Sequence, residues 1–167
     1  MLFHVAGLLR EPVGATRSFE ITPEPPVHEG RIEMVRLPAA ILVRFSGEVV
    51  IDAQCSRCLA DFGYHAPLSF EELFQQQVDV GSGAKVESPL GDDPEAFRVG
   101  LDHTIDITEA VRQYTEVAAA MQPLCRPECP GLCQQCGQDL TVGACACDRA
   151  MADSRWAALA DLKLQNG

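Results

Sequence analysis

Eight cysteines constrain what this chain can become more than any other feature. Six fall in one run, Cys125-Arg-Pro-Glu-Cys129-Pro-Gly-Leu-Cys133-Gln-Gln-Cys136-Gly, closed by Cys145-Ala-Cys147. The other two form Cys55-Ser-Arg-Cys58, far upstream. Cys-x-x-Cys followed by Gly lets backbone N–H groups turn toward both sulfurs, and Cys-x-Cys supplies the opposite edge of a tetrahedron. Four thiolates at about 2.3 Å from one ion make a closed structural zinc site.

The spacing groups Cys133, Cys136, Cys145 and Cys147 as one ribbon-like set. Cys55, Cys58, Cys125 and Cys129 remain as a second set, which would tie the upstream segment to the end of a helix. A different pairing also satisfies the spacing: the two Cys-x-x-Cys knuckles share one ion and the other four cysteines hold a second. Four thiolates also suit an iron–sulfur cluster, and Cys55-x-x-Cys58 alone resembles a redox dithiol. No thioredoxin-like strand–helix context follows that pair. The expectation is two structural zinc ions, with one as the minimum.

The redox setting supports reduced thiols. The opening Met-Leu-Phe-His-Val-Ala-Gly-Leu-Leu-Arg has no basic n-region and only a short, interrupted apolar stretch. No run approaches the roughly 18 apolar residues that span a bilayer. A cytoplasmic protein with no membrane contact is expected, and there clustered cysteines are metal ligands more often than disulfides.

The net charge of −11 argues against broad binding to a phosphate backbone, which needs a Lys/Arg surface. It leaves a small local patch, or a basic protein partner. Arg57, Arg126, Arg149 and Arg155 all lie within or close to the cysteine motifs, although the chain has only 13 Lys plus Arg. Brought together, they would offer phosphate a basic patch on an acidic body. Otherwise each pairs with a nearby carboxylate.

Catalytic signatures are missing. His4, His28, His65 and His103 lie away from the cysteine pairs, and a lone histidine is more often a surface or packing residue. The chain has no Walker loop, no Gly-x-Ser-x-Gly, no dinucleotide fingerprint and no His-x-Glu deaminase motif. The chain does not read as an enzyme.

Periodicity predicts an α+β fold: an antiparallel sheet or partly open β-barrel, a long packed helix, a C-terminal zinc-knuckle segment and a final helix. Residues 1–10 read as a short amphipathic helix, and Ser18–Thr22 and Arg31–Leu37 as strands. Ile41–Ala53 alternates strongly, with Gly47 read as the turn of a hairpin. Phe62–Phe70 reads as a return strand, placing Cys55 and Cys58 at a hairpin tip, and Phe97–Leu101 as a short extra strand. Asp106–Met121 reads as the long helix. Its Asp106/Glu109 start resembles a capping box, and its stripe is Ile107, Val111, Tyr114, Ala118 and Met121. Asp153–Leu164 reads as the last helix. The organisation expected is a β-rich part over 1–80, a flexible loop over 81–95, a strand and helix of the same domain over 96–124, and a cysteine-rich segment over 125–167.

These residues resemble the bacterial YceD/DUF177 family, the large ribosomal RNA subunit accumulation proteins. The resemblance rests on Cys55-Ser-Arg-Cys58-Leu59, Ile105-Asp-Ile-Thr-Glu-Ala, Pro123-Leu-Cys125, Gly131-Leu-Cys133-Gln-Gln-Cys136-Gly, Cys145-Ala-Cys147 and Asp153-Ser-Arg155-Trp-Ala-Ala-Leu159, in that order. Leu8-Leu9-Arg-Glu-Pro-Val-Gly14 resembles the family's opening. Gln134 replaces the usual proline, and Thr141-Val142 stand where Asn is common; both are turn positions.

The resemblance implies a non-catalytic factor promoting accumulation of large-subunit (23S) ribosomal RNA. Its partners would be that rRNA or a pre-ribosomal particle, and a basic ribosomal protein. Some members lack the C-terminal cysteines, so zinc is expected as a stabiliser. The alternative functions are a zinc-ribbon nucleic-acid-binding accessory factor of transcription, and, less favoured, a redox or metal-dependent enzyme.

Overall fold

A computed structural model of the chain describes residues 1–87, 91, 93–147 and 155. Its strands are β1 (Leu2–His4), β2 (Thr16–Ile21), β3 (Val27–Arg36), β4 (Ala40–Gln54), β5 (Asp61–Gln75) and β6 (Thr104–Asp106). Its helices are α1 (Ala6–Leu9) and α2 (Thr108–Ala118). Four strands form an antiparallel sheet in the order β2-β3-β4-β5, and β1 pairs antiparallel with β6. Among the described residues β2 and β5 do not pair, so the sheet is open rather than a barrel.

The dominant element is the β4–β5 hairpin. Its register runs unbroken from Ala40 opposite Gln75 to Gln54 opposite Asp61. Fifteen residues per strand reach about 50 Å when extended. Ile41, Val43, Phe45, Val49 and Ile51 share one buried face, and Ala66, Leu68, Phe70 and Phe74 extend it on β5. Against this face pack Leu8 and Leu9 of α1, Ile105 of β6, and Ala110 and Val111 of α2.

Gly47 is therefore not a hairpin turn, contrary to the expectation from sequence. It lies inside β4, directly opposite Gly30 of β3. A Cβ at Gly47 would come within 2.3 Å of the Glu29 carbonyl and 2.7 Å of the Gly30 Cα. The ring of Phe45 lies beside both glycines. Gly47 is needed for close approach between two strands, not for a positive φ. The alternation of Ile41, Val43, Phe45, Val49 and Ile51 keeps its parity through Gly47, as one strand requires.

The helices are shorter than expected. Residues 1–10 divide into β1 and a single-turn α1. α2 has eleven residues, so the long helix expected over Asp106–Met121 is not formed. Ala119 turns extended, and the Ala120 N–H donates to the Tyr64 hydroxyl at 2.8 Å instead of continuing the helix. Met121 is fully exposed. The capping box is also replaced: Asp106 accepts from the Thr108 N–H and hydroxyl, while Glu109 pairs with Arg112.

α2 docks on β5 through an aromatic stack. Phe45 and Phe70 lie 5.2 Å apart at 14°, and Phe70 and Tyr114 4.6 Å apart at 8°. Tyr114 donates to Glu72 at 2.7 Å, a bond that holds its phenol above the usual range. Phe70–Gln75 continues as strand. Phe97–Leu101 forms only one parallel bridge, Gln75 to Arg98, with Phe97 stacked on Phe74 and Val99 buried. The stretch after β5 includes a tight turn in which Asp79 Oδ1 accepts from Gly81 N–H, Ser82 N–H and the Ser82 hydroxyl. The helix expected over Asp153–Leu164 lies outside the described residues apart from Arg155.

Gly47→Ala is expected to destabilise the protein by about 1–3 kcal/mol, because backbone on β3 must move to admit the methyl group. Gly63→Ala, whose Cβ meets only ordinary contacts at 3.4 Å and beyond, is the control. Urea unfolding of the two variants measures the difference.

Candidate metal centres

The eight cysteines gather as two tetrads, Cys55/Cys58/Cys125/Cys129 and Cys133/Cys136/Cys145/Cys147. Within each, all four sulfurs lie within 4.8 Å of one another. In the first, Cys55 Sγ is 3.8 Å from Cys129 Sγ, and Cys58 Sγ is 3.8 Å from Cys125 Sγ. Four sulfurs about 2.3 Å from one ion are themselves about 3.8 Å apart, the edge of the tetrahedron. Iron–sulfur clusters interpose inorganic sulfide and hold their cysteines further apart. The donor set and its spacing fit one tetrahedral ion per tetrad.

Both tetrads are built on the same local fold. In the first, β4 ends at Gln54 and the chain turns at the tip of the hairpin. The Cys55 N–H donates to the Ala60 carbonyl and the Leu59 N–H to the Cys55 carbonyl, both at 2.9 Å. In the second, the Cys133 N–H donates to the Gln138 carbonyl and the Gly137 N–H to the Cys133 carbonyl, both at 2.8 Å. The residue after the second cysteine is left-handed in each knuckle, with φ of 61° at Leu59 and 73° at Gly137. The turn aims N–H groups of the third and fourth residues at the first sulfur. They come from Arg57 and Cys58 in one knuckle, and from Gln135 and Cys136 in the other.

The first tetrad joins distant parts of the chain. The Ser56 N–H donates to the Pro123 carbonyl at 2.9 Å, and the Leu132 N–H to the Arg57 carbonyl at 3.0 Å. Cys55, Cys58 and Cys129 are buried with Phe62 and Leu124 against them, a cluster separate from the main core. The second tetrad is more open, with Cys136 exposed and Cys145 and Cys147 half-buried.

Protonation differs sharply within each tetrad. Backbone N–H groups of Cys125, Cys58 and Arg57 bring Cys55 down to about 6, and those of Cys136 and Gln135 bring Cys133 down to about 6. Desolvation, then the neighbouring sulfurs, push Cys125 up to about 12. The Cys136 sulfur, then desolvation, push Cys147 up to about 12. Cys58 is favoured as a thiolate by the Ala60 N–H, yet desolvation and adjacent sulfurs leave it raised. Without a cation, each tetrad cannot ionise all four thiols, because like charges this close repel.

The arginines are not gathered into a demonstrated patch. Arg57 is exposed and donates to the Cys129 carbonyl at 3.0 Å, bridging the two halves of the first tetrad. Arg126 is exposed beside Cys125. It adds to the influence of Thr141, which holds the Asp139 carboxyl low through its hydroxyl and N–H. Arg155 is exposed, and Arg149 lies outside the described residues. Sequence reading passed over one further group: His28, Glu48 and His65 present donor atoms within 4.8 Å of one another. They come from three strands, so only the sheet register, not local spacing, could reveal them.

Among the described residues no helix is long and apolar enough to cross a membrane. An open antiparallel sheet extended by two four-cysteine knuckle centres defines an α+β protein whose periphery is organised by thiolate sites. The family model of the large ribosomal RNA subunit accumulation protein YceD matches residues 43–163, and the chain belongs to that family. An uncharacterized protein of Mycobacterium tuberculosis is 31% identical over 109 residues, covering 65% of this chain and 49% of its own length. One from Mycobacterium leprae is 29% identical over 110 residues, covering 66% and 47%. The large ribosomal RNA subunit accumulation protein YCED homolog 1, chloroplastic, of Zea mays is 30% identical over 81 residues, covering 45% and 28%. The chain thus aligns with about half the length, or less, of these curated relatives. No solved structure matches the chain.

Two outcomes follow from this geometry. A dication that takes four thiolates must displace protons from each tetrad, so the bound state carries fewer protons and affinity rises with pH from about 6 toward about 12. Titration calorimetry in buffers of different ionisation enthalpy will show net proton release at pH 7. Gly137→Ala forces an alanine into left-handed backbone at a cost of about 1 kcal/mol, lowering the affinity of the second site about fivefold in chelator competition. Leu59→Gly is expected to leave the first site unweakened, since glycine accepts that φ freely.

Proposed function

We propose that this protein is a non-catalytic factor that promotes accumulation of large-subunit (23S) ribosomal RNA, acting on the rRNA or a pre-ribosomal particle in the cytoplasm. Family membership over residues 43–163 is the observation that carries this reading. The relative from Zea mays bears the same functional name.

In this reading the metal is zinc, one ion in each cysteine tetrad, and its role is structural. Four cysteine sulfurs complete a tetrahedral shell and leave no position for substrate. Zinc binding free energy then becomes folding free energy for the 125–147 segment, where described apolar burial is sparse. Residues 1–124 would form the body, with residues 81–95 as a loop within it, and residues 125–167 a metal-held extension.

RNA contact is assigned to Arg57, Arg126, Arg149 and Arg155. An acidic chain needs a local cationic site to approach phosphate, and Arg57 is fixed in place by its bond to the Cys129 carbonyl. The acidic remainder suits a basic ribosomal protein as a second partner.

Depletion of the protein tests the reading. The expected outcome is reduced 23S rRNA and abnormal large-subunit precursors on sucrose gradients; normal rRNA and particles would falsify the assignment. Complementation with Cys136→Ser is expected to supply protein with one zinc fewer by metal analysis and partial rescue of the rRNA defect.

A further inference from the structure

His28, Glu48 and His65 lie on the solvent face of the large sheet, on β3, β4 and β5, away from either cysteine tetrad in sequence. His65 faces Val50 in the β4–β5 register, two pairs beyond Glu48 opposite Pro67. It is therefore a diagonal neighbour of Glu48 on the same face. Its Nδ1 is 3.0 Å from Glu48 Oε2. The His28 and His65 rings meet edge to face with centroids 4.7 Å apart.

His28 reaches this face through an irregularity. The β3–β4 register shifts between Val27 and Glu29, leaving His28 as the extra residue of a bulge. Val27 is buried, and His28 and Glu29 are both exposed, which breaks the alternation that holds elsewhere along β3. A bulge re-aims a side chain that a regular strand would direct elsewhere, and bulges are over-represented beside functional sites. Here it brings a second imidazole to a carboxylate–imidazole pair.

The geometry points to a third divalent-metal site, formed by His28, Glu48 and His65, that takes a borderline transition dication such as Zn2+ through two imidazole nitrogens and one carboxylate oxygen. Ligands about 2.0–2.2 Å from a shared ion stand roughly 3 Å apart, the separation already present between His65 and Glu48. His28, within 4.8 Å of both, closes the set by side-chain rotation at an exposed position. Three protein ligands leave coordination open to water or an incoming anion, unlike the closed tetrads. His28 also lines a groove of about 620 Å³ with Pro26, Val50 and Asp52.

The competing explanation is a simple His65–Glu48 ion pair on the surface, with His28 packed against it. The test uses the full chain with both tetrads zinc-loaded and excess metal removed, titrated with Zn2+ at pH 7.5 by calorimetry. One further equivalent is expected. His65→Ala should abolish it, and His28→Ala and Glu48→Gln should each weaken it at least tenfold. His4→Ala should leave it unchanged. His65→Gln, which retains a hydrogen-bond donor toward Glu48, should also abolish it. Two retained zinc ions in each variant report an intact fold. Absence of a further equivalent in the parent, or its persistence in His65→Ala or His65→Gln, overturns the proposal.

Discussion

The unbroken pairing of β4 with β5 is the constraint on which the rest of this structure depends. One register positions the buried face, the aromatic stack that receives α2, and the tip that carries Cys55 and Cys58. A one-residue slip of β5 against β4 would turn Leu68, Phe70 and Phe74 to solvent and rotate the knuckle relative to Cys125 and Cys129. Core packing and the placement of Cys55 and Cys58 are therefore specified by the same ladder. Gly47 and Gly30 matter for the same reason: their facing positions let β3 lie close to this hairpin without shifting its register.

The two ends of the hairpin differ in how much apolar packing they have. Around Phe45, Phe74 and Ile105, apolar burial suffices. Beyond Ile51 the hairpin outruns that core, and among the described residues Phe62 and Leu124 are the hydrophobic side chains packed beside Cys55, Cys58 and Cys129. A few apolar side chains supply little against the conformational entropy of ordering the 125–147 segment. An ion held by four thiolates would need no volume of core, and it would tie residues about seventy positions apart in sequence.

Local chemistry was readable in the sequence where neighbours in the chain are neighbours in space. The two knuckles, the strand preceding Cys55 and the return strand from Phe62 all follow from spacing and alternation. The compactness of Cys133–Cys147 favours the division into tetrads, but spacing equally allows the two Cys-x-x-Cys knuckles to share an ion, and only the fold decides between them. Non-local geometry was not readable. Gly47 carries the same letter whether it turns the chain or admits an adjacent strand, and only Gly30 opposite it decides. The end of α2 depends on Tyr64, far upstream, accepting the Ala120 N–H. His28 and His65 read as isolated surface residues until the β3 bulge and the β4–β5 register bring them to Glu48.

The sulfur tetrads and the histidine–glutamate cluster also differ in what they can exchange with their surroundings. A tetrad filled by one ion has no free position, and the knuckle N–H groups further stabilise its sulfur charge. Such a site is suited to holding shape. Arg57 draws on this rigidity, because one of its five N–H donors is committed to the Cys129 carbonyl. A guanidinium already ordered loses less entropy on meeting phosphate than a freely rotating one. On an acidic chain, where long-range attraction to an anion is unfavourable, such pre-ordering favours a contact made at short range.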